Sequence, residues 1–385
     1  MKIAFFHNRY KHRGGEDVVV DTQLELLAKA GHEVSLCSVD NGEEIRDWRS
    51  ALRAARHARW NPSTPERVVA FLDAHPADVV HVHNTFPLFS PSLHHTLSEW
   101  GVPVVQTLHN YRLVCANASL LRRGVPCTEC IRRGPWNSVR YGCYRGSRVQ
   151  TAVWADMTAH HRRQGTWTEC VDLFTTPSSF ARQLLIDAGL PAERMRVLPN
   201  PVLDPGPPAP LGEGAAYIGR LAPEKGVDLL IEAWRAFPDV PLRIVGTGPE
   251  QRRLRRLAAD QSSIEFLGGV PHDRALAVMA DSAFVVAPSL WYETFGMVVL
   301  EAMACGRPVV VPAESALAEL VDPGRTGLHY TSGDEASLAG ACAALLADRS
   351  LMQSQGEEAR STYEDDFAPE RVVAELEALY HSVAR

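Results

Sequence analysis

Short apolar runs alternate with helical patterns along this chain. Residues 3–7 and 34–39 are apolar runs of strand length, and a helical pattern of hydrophobic residues separates them over residues 18–27. Further apolar runs at residues 78–83 and 102–108 are bounded by proline, glycine or asparagine. Nearly continuous apolar strands between helices indicate a parallel sheet with both faces covered by helices. The sequence therefore predicts an α/β fold.

A proline-rich segment divides the chain at residues 199–210, where six prolines exclude a helix interior or a central strand. The alternation then restarts, with apolar runs at residues 215–219, 242–246, 264–267, 284–287 and 308–311. A chain of 385 residues is long for one core. We therefore expect two Rossmann-like αβα domains facing each other across a cleft, with ligands outside the carboxyl ends of the strands.

The expected domain bounds follow from this division. They are an N-terminal domain at residues 1–198 with a cysteine-rich excursion at 110–150, a linker at 199–213, a C-terminal domain at 214–364, and a final helix at 365–385 that packs back on the N-terminal domain.

Composition is ordinary for a globular protein, with 45% hydrophobic and 22% charged residues. The apolar run at the N-terminus is too short for a signal peptide, and none approaches a membrane span. We expect a cytoplasmic protein, in which eight cysteines do not form a disulfide framework. Charge is uneven: residues 1–198 carry 24 Lys+Arg and 19 Asp+Glu, a balance of +5, whereas the remainder carries 15 and 27, a balance of -12. Either an anionic partner faces the first half, or two domains differ by chance.

The segment at residues 219–226, Gly-Arg-Leu-Ala-Pro-Glu-Lys-Gly, follows a predicted strand and opens a helix. Lys225 is the only lysine after Lys29. A lone lysine among arginines suggests a position where arginine would not serve. Arg220 and Lys225 place two positive charges on one loop, where they can stabilise charge on a diphosphate. The chain has no Asp-x-Asp motif, the simplest metal clamp for such a group.

The segment at residues 293–301 places a glycine turn between two carboxylates that are separated by seven residues. The turn at residues 294–297 opens a helix, and its backbone N–H groups can bind a phosphate. Glu301 can accept hydrogen bonds from a ribose diol, and Glu293 from sugar hydroxyls. Together the two segments indicate a site for a sugar joined to a diphosphate.

These residues, with Ala-Met-Ala-Cys-Gly-Arg-Pro-Val-Val after Glu301, resemble the GT4 family of retaining glycosyltransferases, which have the GT-B fold. The resemblance covers essentially the whole chain. It implies a nucleotide-sugar donor bound mainly by the C-terminal domain, and catalysis that needs neither a metal nor a separate nucleophile. The donor-binding residues that it implies are Gly15, Gly219, Arg220, Lys225, Val270, Glu293, Thr294, Phe295, Gly296, Met297 and Glu301.

The resemblance also assigns roles within that set. Arg220 and Lys225 would hold the diphosphate, Glu301 the ribose and Glu293 the sugar. Val270 would lie against the base. The implied catalytic residues are Arg220, Lys225, Glu293 and His109.

On the N-terminal side, Gly14 and Gly15 lie between the first strand and the first helix. From the residues alone they are either an ordinary turn or a place where the backbone approaches a ligand closely. The resemblance favours a ligand, with Gly14, Glu16 and His109 on the acceptor side and His109 also contacting the donor sugar. We interpret His81 and His83, on one predicted strand, as structural or cleft-lining residues on opposite faces.

Four of the eight cysteines, Cys115, Cys127, Cys130 and Cys143, lie within 29 residues. Two of them have Cys-x-x-Cys spacing, and four thiolates can form a closed tetrahedral zinc site. An iron–sulfur cluster or four reduced, packed thiols are the alternatives. The segment from Arg112 to Arg148 also carries eight arginines and one acid. It either shapes the acceptor pocket or docks an anionic acceptor or a lipid surface; the alternative is a solvated excursion.

A second basic stripe has helical spacing and nearby tryptophans: Arg46, Arg49, Arg53, Arg56 and Arg59. It is either a peripheral membrane contact or a solvated helix face. Other function classes fit less well. The two donor segments argue against an epimerase or a phosphorylase, and Gly246-Thr-Gly248 lacks the third glycine of a dinucleotide fingerprint. A zinc-module nucleic-acid-binding protein conflicts with the acidic second half, so we expect no nucleic-acid partner.

Overall fold

The computed structural model describes residues 1–11 and 13–384 and confirms the α/β class. Contacts divide the chain into two units. The first comprises Met1–Leu120, Cys127–Pro201 and the chain from Glu370 onward. The second comprises Leu121–Pro126 and Val202–Pro369. Among the described residues, no helix is both long enough and apolar enough to cross a bilayer.

The first unit is built on a six-stranded parallel sheet. A short antiparallel hairpin, β5–β6, interrupts the chain order. The six strands of this sheet are β1 (Lys2–Arg9), β2 (Glu33–Asp40), β3 (Val79–Val82), β4 (Val104–Thr107), β7 (Leu173–Thr176) and β8 (Met195–Val197). The hairpin consists of β5 (Leu121–Arg122) and β6 (Val125–Pro126), which belong to the second unit. The order across the sheet is β2-β1-β3-β4-β7-β8.

The first unit also contains helices. They are α1 (Gly15–Lys29), α2 (Asn41–Glu44), α3 (Trp48–His57), α4 (Thr64–Ala74), α5 (Ser92–Trp100), α6 (Glu129–Arg133), α7 (Asn137–Tyr141), α8 (Arg148–Arg163), α9 (Thr166–Glu169) and α10 (Ser179–Asp187). All four residues of β3, of β4 and of β7 are buried, as expected for central strands covered on both faces.

The second unit holds another six-stranded parallel sheet, of order β11-β10-β9-β12-β13-β14. Its strands are β9 (Ala215–Ile218), β10 (Leu242–Val245), β11 (Ile264–Gly268), β12 (Phe284–Val286), β13 (Val309–Pro312) and β14 (Gly327–Tyr330). Its helices are α11 (Val227–Ala233), α12 (Gln251–Leu257), α13 (His272–Ala280), α14 (Met297–Ala304), α15 (Glu335–Ala347) and α16 (Arg349–Thr362).

The order of this second sheet is the 3-2-1-4-5-6 order of doubly wound folds. In such sheets the crevice for a ligand opens where the order reverses, at the carboxyl ends of the two central strands. Here those strands are β9 and β12. In the first unit the reversal lies between β1 and β3.

The final helix, α17 (Pro369–Val383), contributes to the core of the first unit. Leu376 and Tyr380 are fully buried in the cluster that contains Ile3 and Phe5. The Tyr380 hydroxyl also lies 2.6 Å from Nδ1 of His81, a buried residue of β3. Both the hydrophobic core and a buried hydrogen bond therefore join the last helix to the first sheet.

Carbonyl groups of the proline-rich segment are hydrogen-bonded by arginines of the second unit. Arg307 is buried and donates from Nη2 to the carbonyl oxygens of Ala209 (2.8 Å) and Pro210 (2.9 Å). Arg349 donates to the carbonyl oxygen of Leu211 at 2.7 Å. A proline-rich chain has few backbone N–H groups for a sheet ladder, so side-chain donors hold its carbonyls instead.

Candidate functional site

The loops after β9 and β12 meet at the reversal point of the second sheet. Lys225 ends a 3₁₀ turn, Pro223–Lys225, after β9. Its Nζ lies 2.6 Å from Oε1 of Glu293, which follows β12. Two segments that are 68 residues apart thus meet at the position where a doubly wound sheet binds its ligand.

Two further side chains position this ion pair. The Ser289 hydroxyl donates to the same Glu293 oxygen at 2.5 Å. Nζ of Lys225 lies 5.5 Å from the centroid of the Trp291 ring, within the range of a cation–π contact. The sequence analysis did not identify Ser289 or Trp291. Their only signal was nearness to Glu293 in the chain.

Arg220 lies on the same loop, and its exposed guanidinium pairs with Glu224 one turn further on. The structure thus places both cations of the loop against carboxylates, Lys225 on Glu293 and Arg220 on Glu224. Before an anionic ligand could bind both cations, the two carboxylates would have to release the cations or share them with the ligand.

Glycines let the backbone of this loop pack closely. Gly226, with φ +64°, is in the left-handed region, and a Cβ there would lie 2.0 Å from the carbonyl oxygen of Pro288. A Cβ on Gly246 would lie 1.8 Å from the carbonyl oxygen of Gly219. Gly246, considered above only as part of an incomplete dinucleotide fingerprint, therefore has a packing role beneath the loop of Arg220 and Lys225.

The turn after Glu293 leads into α14. Thr294 and Phe295 are buried, and Gly296 precedes Met297, the first residue of the helix. A Cβ on Gly296 would meet Cδ2 of Leu317 at 2.5 Å. The first backbone N–H groups of any helix have no acceptor within that helix, so the start of α14 can receive an anion.

Glu301 lies on α14 with its side chain only 15% exposed. Burial raises the pKa of its carboxyl to about 7. Nε2 of His272, the first residue of α13, lies 3.8 Å from Oε1 of Glu301. Val270 precedes α13 and packs beside Ala275. The structure therefore brings Glu301 close to the segment that was predicted to hold a base, through a histidine that the sequence analysis missed.

The glycine loop of the first unit lies between β1 and α1. Gly14 has φ −122°, and a Cβ on Gly14 or Gly15 would meet no atom of the described residues within 4 Å. Neither backbone geometry nor packing within the described chain therefore requires glycine at these positions. Open space beside an exposed backbone is what the approach of a ligand requires.

Glu16 belongs to a small polar network. Its Oε2 accepts hydrogen bonds from the Tyr10 hydroxyl at 2.8 Å and from Nδ2 of Asn110 at 3.2 Å. Burial raises the pKa of the Glu16 carboxyl. Asn110 follows His109 directly, so the loops after β1 and β4 meet at this carboxylate.

His109 is hydrogen-bonded to a second histidine, with its Nε2 2.7 Å from Nδ1 of His83. The two rings are stacked, with centroids 5.0 Å apart. Burial lowers the pKa of His109 to about 3, so the ring is neutral near neutral pH. His83 therefore helps to orient His109, and the sequence analysis did not give it that role.

The expectation that His81 and His83 lie on opposite faces of β3 is wrong. Their ring centroids are 4.2 Å apart. Residues two positions apart in a strand point to the same face, and this periodicity was misapplied. His81 has the structural role expected for it, since it bonds Tyr380 and also Oγ1 of Thr107 at 2.7 Å.

The four cysteines of the predicted zinc box all lie in the first unit. Cys115 and Cys130 are buried, and Cys127 and Cys143 are half-buried. Burial, and to a smaller extent the other three cysteines, raises the pKa of Cys130 to about 12. The four thiols are therefore close enough to interact electrostatically. In the described part of the chain, however, no group of three or more His, Cys, Asp or Glu side chains is arranged to hold a metal ion.

Two family models match the chain. A model described as glycosyl transferases group 1 matches residues 213–362. A model of glycosyltransferase family 4 matches residues 13–203.

Curated relatives agree with these models. The chain is 32% identical over 277 residues to D-inositol 3-phosphate glycosyltransferase of Acidothermus cellulolyticus, which covers 64% of this chain and 55% of the relative. It is 33% identical over 182 residues to phosphatidyl-myo-inositol mannosyltransferase of Mycobacterium leprae, which covers 45% of this chain and 48% of the relative. The chain spans between 21% and 55% of the length of the first three curated relatives.

Solved structures show the same fold. Sucrose-phosphate synthase from Thermosynechococcus elongatus superposes with a TM-score of 0.75 at 20% identity, covering 99% of this chain and 98% of that one. Anabaena HepE in complex with UDP-glucose superposes with a TM-score of 0.69 at 19% identity, covering 99% and 100%. Both sheets and their helices are therefore those of GT-B glycosyltransferases. With one family model over residues 13–203 and the other over residues 213–362, the chain belongs to the family 4 glycosyltransferases.

Proposed function

We propose that this chain transfers a sugar from a nucleoside-diphosphate sugar to an acceptor hydroxyl, with retention of anomeric configuration. The observation that carries the proposal is the contact of Lys225 with Glu293 at the reversal point of the second sheet. A cation there can bind the diphosphate while the carboxylate binds a sugar hydroxyl. Cell-surface polysaccharide or natural-product glycoside synthesis are the settings that we infer for such a transfer.

In this proposal charge on the leaving diphosphate is stabilised by three groups of the second unit. Lys225 and Arg220 supply side-chain cations, and the start of α14 supplies backbone N–H groups beside Gly296 and Met297. Glu301 receives the ribose diol. Because these groups take the place of a metal clamp, we expect turnover to persist in EDTA.

The acceptor side is assigned to the first unit. The open space beside Gly14 and Gly15 supports this assignment, as does the network of Glu16. His109 would contact the donor sugar, and its neutral ring suits a hydrogen bond to a hydroxyl. We propose an anionic or lipid-linked acceptor, because the chain is similar to an enzyme named for phosphatidyl-myo-inositol.

The test is donor turnover across a panel of nucleotide sugars, followed by mass spectrometry of the released nucleoside diphosphate. Lys225→Ala should lower turnover by about 10²-fold or more, because it removes a charge from the leaving group. Lys225→Arg should also lose most activity, since a guanidinium cannot replace a compact ammonium in this contact. Lys29→Ala is the matched control, because that lysine is also ion-paired, with Glu25. Wild-type rates in both Lys225 variants would contradict the assignment.

We also propose that zinc binds the four-cysteine box. Spacing and the nearness of Cys115, Cys127 and Cys143 to Cys130 support it, although the described side chains do not form a preassembled site. Four thiolates suit a structural zinc ion. Metal analysis of the purified protein should find about one zinc per chain. Cys127→Ser should lose that zinc, whereas Cys170→Ser, a half-buried cysteine outside the box, should keep it. A wild-type protein without zinc would refute the proposal.

A further inference from the structure

Helix α3, Trp48–His57, has no buried residue. Its apolar residues nevertheless recur at positions i, i+3, i+4 and i+7, where an amphipathic helix places the face that it buries: Trp48, Ala51, Leu52 and Ala55. The Trp48 side chain is 71% exposed and Leu52 is 45% exposed. Trp60, three residues beyond the helix, is 44% exposed. This helix therefore presents an apolar stripe that the described chain does not cover.

Arginines flank the stripe. Between residues 46 and 60 there are five arginines and one acid, Asp47. Asp47 caps the helix, where its carboxylate accepts from the backbone N–H of Ser50 at 2.8 Å. Arg59 lies 3.6 Å from Asp156 on α8. By contrast, Arg49, Arg53 and Arg56 form no ion pair with a carboxylate of the described residues. The stripe thus carries three cations that form no ion pair with a carboxylate of the described residues.

We propose that this surface, defined by Trp48, Leu52 and Trp60 with Arg49, Arg53 and Arg56, docks on an anionic phospholipid bilayer. Tryptophan and leucine side chains enter the boundary between headgroups and acyl chains, and arginines bind lipid phosphates. The guanidinium of Arg49 lies 5.3 Å from the Trp48 ring centroid, so a phosphate contact and an inserted ring can form side by side. Duplex DNA would attract the arginines but offers no apolar layer for two tryptophans and a leucine.

This inference goes beyond the proposed function, because docking is measured without any sugar donor. It would also place the proposed sugar transfer at a membrane surface. A peripheral contact with the inner face of a membrane would bring a lipid-linked acceptor to the enzyme.

The experiment is co-sedimentation of the full chain with vesicles of phosphatidylcholine, with and without phosphatidylglycerol. We expect binding only to the anionic vesicles, with weakening as salt is added. Trp48→Ser should weaken it at least about tenfold, because the ring contributes buried apolar area. The double variant Arg49→Ser/Arg53→Ser should weaken it by a similar factor and reduce its salt dependence.

Matched controls lie elsewhere on the chain. Trp100 is exposed to 44% at the end of α5, so Trp100→Ser removes an exposed ring that is not part of the proposed surface. Arg252 and Arg256 are exposed residues of α12 with the same four-residue spacing. The control variants should bind vesicles as the wild type does. Equal loss in control and test variants would overturn the proposal, as would wild-type protein that ignores anionic vesicles or binds duplex DNA instead.

The two proposals fail separately. If vesicle binding is absent while donor turnover is normal, only the docking surface is wrong. If vesicle binding behaves as expected while no nucleotide sugar is consumed, only the proposed transfer is wrong. Stabilisation by a nucleoside diphosphate should be unchanged in Trp48→Ser, since the proposed donor site belongs to the second unit.

Discussion

At the scale of single residues, Glu301 is a carboxylate whose environment opposes its charge. Its side chain is largely buried, and burial raises its pKa to about 7. The partner within reach is His272, at 3.8 Å, which is too far for a hydrogen bond. A ribose diol would donate the hydrogen bonds that the ionised carboxylate lacks. Above about pH 7 the protein without donor therefore carries a destabilising charge that donor binding would relieve.

The pH dependence of stability should report this charge. Because the folded pKa of Glu301 is raised above the ordinary value of 4.5, the stabilising effect of its proton is complete below about pH 4.5 and is lost as pH rises to about 7. The stability of Glu301→Gln relative to wild type should therefore increase from about pH 5 to about pH 8, by roughly 3 kcal/mol at most. Thermal melts at the two pH values measure the difference.

Glu265→Gln is the control for that measurement, because Glu265 is an exposed carboxylate of the same unit. Its melting curve should keep a constant offset from wild type at both pH values. A constant offset in Glu301→Gln as well would show that Glu301 titrates in its ordinary range. The affinity of the wild type for its donor should rise as the pH increases through about 7, because ionised Glu301 is the better hydrogen-bond acceptor.

At the scale of elements, helix α1 begins with a glycine that the fold itself does not require. Gly15 is the first residue of α1, and a side chain there would meet only open space. Alanine favours a helix over glycine by up to about 1 kcal/mol. Because the fold does not use this glycine, we propose that a bound molecule requires it.

Gly15→Ala should therefore leave the melting temperature unchanged or slightly raised while lowering turnover severalfold. Gly340→Ala is the matched change, since Gly340 lies within α15 and a Cβ there would also meet open space. It should raise stability without affecting turnover. Full activity in Gly15→Ala would mean that the glycine pair is an ordinary turn.

Strands that have an apolar run of their own were predictable from the sequence, and strands that lack one were not. β1 and β10 lie within one or two residues of the predicted runs. β7, with the sequence Leu-Phe-Thr-Thr, and β8, with the sequence Met-Arg-Val, were missed because polar residues leave neither strand with a continuous apolar run. Their neighbours in the sheet define them, and neighbours are not visible in one sequence.

The candidate site was predictable to a similar extent. The loop of Lys225 and the turn after Glu293 were found from residue types and resemblance, but the contact between them depends on β9 and β12 being adjacent strands. Ser289 and His83 carry no motif of their own. Each gains its role from a partner brought near by the fold, Glu293 in one case and His109 in the other.

At the scale of the whole molecule, each unit has its own sheet and its own core, but the first unit is assembled from distant parts of the chain. Helix α17 supplies Leu376 and Tyr380 to the cluster around β1. His32, in the turn before β2, lies 2.6 Å from Glu377 of the same helix. Deleting the last helix would therefore expose a core formed by the first residues.

Leu376→Ala should destabilise the first unit by about 2–5 kcal/mol, because it leaves a cavity in that core. Hydrogen exchange should increase in peptides from β1 and β3. Leu345→Ala, an equally buried leucine of α15, should instead increase exchange in the second unit. Equal effects of both variants on both sheets would show that the units do not unfold separately.

The position of α17 has a consequence for synthesis on the ribosome. Domains often fold as they emerge, the N-terminal one first. Here the first sheet emerges early, yet its core stays incomplete until the residues around Tyr380 leave the exit tunnel. The second unit, whose elements are contiguous apart from one hairpin, can be finished before the first. During translation the N-terminal half would therefore remain incompletely folded until α17 emerges. Chaperones would bind the apolar surface that it exposes in the meantime.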